Sequence, residues 1–194
     1  MRERTLSRKY FKLSQEVDSP GIWDLGNPTD LGDREVDNPW MFREGQPVTQ
    51  PGRLKIPISR PGRALDFTLA GFSIPVVHLH VASLFTRLAP QDVQLLPVDI
   101  PDQSGPFFIL VTTRCIRCID DKASEEVEYW TPGDGRPEKV GHYRDVYGLR
   151  VDPSKVGDAR VFRTWGWTIA LIVSEDLKQA LEQIRATGVK FKEV

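Results

Sequence analysis

The only two cysteines of the 194-residue chain are Cys115 and Cys118, spaced C-x-x-C. That spacing supports dithiol redox chemistry when the first thiol sits at a helix N-terminus, and makes half of a zinc site when a second ligand pair follows. Neither context surrounds this pair. The preceding residues, PFFILVTTR, are strand-forming, and a strand carried through to Ile119 turns residues three apart to opposite faces. Their Cα atoms are then about 10 Å apart, beyond the roughly 4.4 to 6.8 Å that a disulfide spans. Both read as ordinary strand cysteines of a reducing, cytoplasmic protein.

Histidine is equally sparse: His78, His80 and His142. The first two fall where a strand passes into a helix, with no second ligand pair at zinc-motif spacing, so they read as structural. A metal-dependent hydrolase built from His78, His80 and nearby acids is one competing reading, and a scaffold or interaction module with an unrelated partner is the other. There is no G-x-S-x-G elbow around Ser73, and GDGRPEKVG (133–141) matches neither phosphate-cradling loop pattern. The sequence therefore assigns no catalytic residue, cofactor-binding residue, cofactor or metal ligand, and the protein reads as a non-enzyme.

What does gather is charge. Asp24, Asp30, Asp33, Glu35 and Asp37 crowd one N-terminal stretch; Asp121, Glu125, Glu126 and Glu128 follow the cysteines and lead to Trp130. Carboxylates steer an encounter and aromatic rings anchor it, so these ten residues are the candidate contacts for a basic protein partner. Net charge is −1, which supplies no basic field for nucleic acid, and no apolar run approaches the ~20 residues that cross a bilayer. The start, MRERTLS, lacks the apolar run of a secretory signal.

The elements that must position these residues divide unevenly. Residues 17–63 are rich in Pro, Gly, Asp and Asn, and read as an irregular region pinned by Trp23, Trp40 and Phe42. Residues 130–148 read as a surface loop. Between them, Val77, Val81, Leu84, Phe85 and Leu88 make one helical stripe flanked by extended ALDFTLAG, FSIPVV and VQLLPVDI. At the C-terminus TIALIV reads as a strand, Ser174 as an N-cap, Leu177, Leu181 and Ile184 as a stripe, Gly188 as the stop, and VKFKEV as a strand.

These two strand-helix-strand units, about 65–100 and 166–194, align without a gap at an offset of 96, pairing Val77 with Val173, Phe85 with Leu181 and Leu95 with Phe191. The expected fold is α+β. Both units contribute to one mixed sheet in a single domain over 1–194, with irregular 1–63 packed on regular 64–194.

In order along the chain, GIWDLG, PWMFREGQPV, ALDFTLAGFSIPVV, VQLLPVDI, FFILVTTRCIRCIDDKAS and VFRTWGWTIALIVSEDLKQALEQIRATGVKFKEV resemble the myxobacterial-type immunity proteins of bacterial polymorphic-toxin systems, a family first catalogued as a domain of unknown function. The resemblance implies a small cytoplasmic α+β protein without catalytic activity. Such a protein binds and neutralises a cognate toxin, often a nuclease, encoded beside it. Carried over by residue, it implies that Asp120 and Ser124 organise the turn after the central strand and that Arg163 makes a charge-assisted hydrogen bond. His78 departs from the serine with which the family's first helix commonly opens.

Overall fold

Two helices lie between two five-stranded sheets in the computed structural model, which describes residues 8–49 and 51–194. The basic start of the chain, residues 1–7, lies outside the described residues. The strands of the first half are β1 (Tyr10–Gln15), β2 (Asp24–Leu25), β3 (Leu54–Lys55), β4 (Ile58–Arg60), β5 (Phe67–Ala70) and β6 (Ile74–His78). Helix α1 (Leu79–Leu88) leads to β7 (Val93–Asp99), β8 (Phe107–Thr112) and β9 (Cys115–Ile116). A hairpin of β10 (Glu126–Tyr129) and β11 (Tyr143–Tyr147) precedes β12 (Val161–Thr164), β13 (Trp167–Ser174), α2 (Glu175–Gln183) and β14 (Val189–Glu193). The fold is α+β.

The two units do not share a sheet, contrary to the expectation. One sheet runs β3-β7-β8-β6-β5 and the other β14-β1-β13-β12-β9. In the first, β6 and β7 both pair antiparallel with β8, so they are parallel to each other with α1 as the crossover. In the second, β13 and β14 both pair antiparallel with β1, and α2 is the crossover. Each unit is thus split by an inserted strand, contributed by the following segment in one case and by the N-terminus in the other. Tyr10–Gln15 is accordingly a central strand, so residues 1–63 are not uniformly irregular.

Period-two alternation gives both sheets two buried faces. From β8, Phe108 and Leu110 face the helices while Phe107, Ile109 and Val111 face a cluster with Trp23, Phe42 and Ile56. From β13, Leu171 and Val173 face the helices while Ala170 and Ile172 join Phe162, Val146 and Cys118. The residues matched at offset 96 meet here: Val77, Val81, Phe85, Val173, Leu177 and Leu181 are fully buried in one cluster between the sheets. Ile184 departs from its stripe and is exposed.

The helix ends differ in detail from the sequence reading. Ser174 occupies the N-cap of α2, but its hydroxyl bonds the Asp176 carboxylate instead of a backbone N–H. Gly188 lies beyond the helix end at Gln183, with φ +84° and its α-carbon against the Phe67 carbonyl: a Cβ there would sit 2.2 Å from that oxygen. In the N-terminal region Trp23 is fully buried and donates its indole N–H to Thr68 Oγ1 at 2.9 Å, whereas Trp40 is 45 % exposed and packs edge-on against the exposed Phe72, ring centres 5.2 Å apart. Residues 130–148 are a loop only as far as His142, because β11 follows.

Candidate functional site

The strand holding the cysteines ends early. β8 stops at Thr112, and β9 joins the other sheet, pairing parallel with β12 so that Cys115 lies opposite Arg163. The FILVTTRCI run therefore bridges two sheets and is not one strand. Cys115 is exposed and Cys118 fully buried, both as free thiols. Burial raises the Cys118 thiol to about 12, far from a reactive thiolate, and partial burial raises Cys115 against the opposing pull of Arg163.

His78 and His80 come together with Asp66. Their Nδ1 atoms are 2.8 Å apart, and His80 Nε2 is 2.9 Å from Asp66 Oδ1. Asp66 Oδ2 accepts from the Thr187 N–H and hydroxyl, both at 2.8 Å, tying the start of β5 to the turn before β14. The donor atoms of these three residues lie within 4.8 Å of one another, close enough to hold a metal ion. Both ring nitrogens of His80 are nevertheless committed to neighbours, so coordination would break the chain of hydrogen bonds. Burial, then the neighbouring His80, lowers the His78 pKa.

The N-terminal acids are largely satisfied by bases of this chain. Arg60 pairs with Asp24 at 3.0 Å, Arg34 with Asp30 at 3.2 Å, and Lys55 with Asp33; Glu35 accepts from the Asn27 amide at 3.0 Å. Asp37 is exposed. In the later group Asp121 accepts from the hydroxyls of Tyr129 and Tyr143, the latter at 2.6 Å, and Glu128 lies 4.0 Å from Arg144. Glu125 and Glu126 are exposed near Gly148 and opposite Tyr147. Trp130 turns away from these acids into a cleft.

That cleft has a volume of about 910 Å³, and its walls come from segments far apart in the sequence. Three segments build its walls. The Pro39–Arg43 turn supplies Trp40 and Arg43; the β10–β11 hairpin and its loop supply Trp130, Arg136, Lys139, His142 and Arg144; the β12–β13 turn supplies Trp165 and Trp167. Gly45 lets the first segment close onto β9, since with φ +74° a Cβ would lie 2.8 Å from Cys115 Cβ. Gly166, at φ +80°, permits the tight turn between Trp165 and Trp167.

Four of the five tryptophans line this cleft, with four Arg or Lys side chains and one acid, Glu44. Three of these cations lie against indoles, Arg43 4.6 Å from the Trp40 ring centre and Lys139 and Arg144 5.1 and 5.7 Å from that of Trp130; Arg117, outside the lining, lies 3.6 Å from Trp165. Arg144 also has Asp134 at 3.4 Å and Arg136 has Glu138 at 3.8 Å, so the surface is aromatic with Arg43 and Lys139 as its lining cations without an acid within 4 Å among the described residues.

Beneath it lies Arg163, 2 % exposed, which donates Nη1 to the Ile169 carbonyl at 2.9 Å and to that of Thr168 at 3.3 Å. Its Nε and Nη2, and the indole N–H of Trp167, have no hydrogen-bond partner among the described residues. Burial, with the like charge of Arg43 second, lowers the Arg163 pKa to about 9, so it remains protonated at neutral pH. The charge-assisted bond implied by the resemblance is present, but its acceptors are neutral carbonyls.

Asp120 and Ser124 do form a turn. Asp120 Oδ1 accepts from the N–H groups of Lys122 and Ala123, both at 3.1 Å. Ser124 Oγ donates to the Asp120 carbonyl at 2.8 Å and accepts from Arg150 N–H at 3.0 Å.

Fold and site together define the class: an α+β protein with a cleft walled by tryptophans and cations. The chain belongs to the Immunity protein family (Imm11), whose model matches residues 51–194. The match takes in both helices, the β10–β11 hairpin and the β12–β13 turn, while Asp24 to Asp37 and Trp40 lie before it. No curated protein matches the chain. Membership implies an immunity role against toxins. No helix among the described residues is long and apolar enough to cross a membrane.

Proposed function

We propose that the chain binds a toxin encoded beside it and holds that toxin inactive in the cytoplasm of the producing cell and its siblings, by protein contact and without chemistry of its own. The observation that carries this reading is the family match across residues 51–194. An interface of ordinary size, about 1,600 Å² in total, suffices to cover an active site or block its assembly. In this reading Trp130 faces the partner, Asp121, Glu125, Glu126 and Glu128 border that surface, and Asp24, Asp30, Asp33, Glu35 and Asp37 serve mainly to hold the N-terminal loops. Expression of the neighbouring toxin with and without the chain tests it. Survival only in the presence of the chain is expected; death in both cases overturns the reading.

The Asp66, His78 and His80 group favours a second reading, a metal-dependent hydrolase. Metal analysis of the purified protein separates the two. Stoichiometric zinc, lost in a His78→Ala, His80→Ala double variant, would support the hydrolase.

A further inference from the structure

We propose that the tryptophan cleft receives an acidic segment of the toxin, so that this chain presents the basic side of the interface; the inference rests on the immunity reading above. Arg136, Lys139 and Arg144 stand on one wall and Arg43 on the other, with Glu44 the one acid of the lining; Arg136 has Glu138 at 3.8 Å and Arg144 has Asp134 at 3.4 Å, so Lys139 and Arg43 are the lining cations with no acid within 4 Å among the described residues. A guanidinium held against an indole keeps its edge N–H groups available to fork onto a carboxylate, and its conformational freedom is already restricted before binding.

The second observation is independent of the rim. Among the described residues Arg163 is a fully buried charge with no carboxylate in ion-pairing distance, and its Nε and Nη2 and the Trp167 indole N–H have no partner. An uncompensated charge in a low-dielectric interior is unfavourable until an anion approaches. The cleft-lining Arg43, Cys115, Thr168 and Ile169 surround it, so its field emerges where the rim cations already stand. Arg163 need not touch the occupant to favour an acidic one.

Single-stranded nucleic acid also combines cations with aromatic rings, but base stacking needs open ring faces. Here Trp40, Trp130 and Trp165 each have a cation over the ring, and the net charge of −1 gives no extended basic track. A carboxylate-bearing peptide fits better.

The test uses the full chain and the catalytically inactivated product of the adjacent toxin gene. An Arg136→Glu, Arg144→Glu pair of exposed substitutions is expected to weaken binding by about a hundredfold and abolish protection, and Lys139→Glu alone by about tenfold. Asp24→Asn with Asp33→Asn is expected to change binding less than about threefold. Wild-type binding with undiminished binding by both cleft variants overturns the inference while leaving the immunity reading intact. A wild type that neither binds nor protects overturns that reading itself. Tight binding of single-stranded oligothymidylate that the cleft variants lose, or a wild-type dimer in solution that they dissociate, assigns the cleft to another occupant and also overturns the inference.

Discussion

The N-terminal acidic loops and the tryptophan cleft carry opposite charges, and they differ more in what those charges are already doing. Asp24, Asp30 and Asp33 each have a base of the same chain within ion-pairing distance, on a layer held by the buried Trp23. In the cleft Arg136 and Arg144 also have acids of the hairpin within 4 Å, but Arg43 and Lys139 lie against indole faces with none among the described residues, above a buried arginine whose Nε and Nη2 have no partner there. Formal charge counted along a sequence is therefore a poor measure of charge available to a partner. What an incoming surface meets is the charge that the fold has not already neutralised.

The largest expected effect separates two tryptophans of the N-terminal region. Trp23→Ala should lower unfolding free energy by about 3 to 5 kcal/mol, since it empties a fully buried site and removes the partner of Thr68. Trp40→Ala, at an exposed cleft wall, should change it by less than about 1 kcal/mol in the same denaturant titration. Equal losses would erase the distinction between scaffold and surface.

Beneath the cleft, Arg163→Met should raise stability by about 1 to 2 kcal/mol, because it removes a buried unpaired charge while leaving two carbonyls without a donor. A marked destabilisation would show that the charge is compensated.

Cys118 gives a smaller, pH-dependent effect. Its folded pKa, about 12, lies above the ordinary 9.0, so its contribution is complete below pH 9 and declines as the unfolded chain alone loses the proton. By pH 10 this should amount to about 1 kcal/mol, a slope that Cys118→Ala removes from the denaturant midpoints. Smallest of all, Asp24→Asn and Asp33→Asn should each change stability by less than about 1 kcal/mol, as exposed ion pairs do.

Periodicity made the helices and their flanking strands legible. The stripe through Val81, Leu84 and Phe85 and the one through Leu177 and Leu181 are buried as their spacing requires. What one sequence does not display is partnership between distant segments. β1 falls within the region read as irregular, since only the pairing of β13 and β14 on either side makes it a strand, and Thr113–Arg114 look like strand interior although the chain changes sheets there. The cleft was hidden for the same reason: its walls come from PWMFR, RPEKVGHYR and TWGW, far apart in the chain. The available signal was that each of these segments combines tryptophan or another aromatic ring with a nearby cation.

The two cysteines supply the most direct measurement of the central claim that the toxin occupies the cleft. Cys115 opens onto the cleft and Cys118 is buried, so a thiol reagent applied to the free protein should label Cys115 and leave Cys118 unmodified, as read by mass spectrometry. With the inactivated toxin bound, labelling of Cys115 should slow by at least about tenfold, as expected for a side chain covered by an interface. Labelling of Cys115 at an unchanged rate in a confirmed complex would place the toxin on another surface and contradict the account.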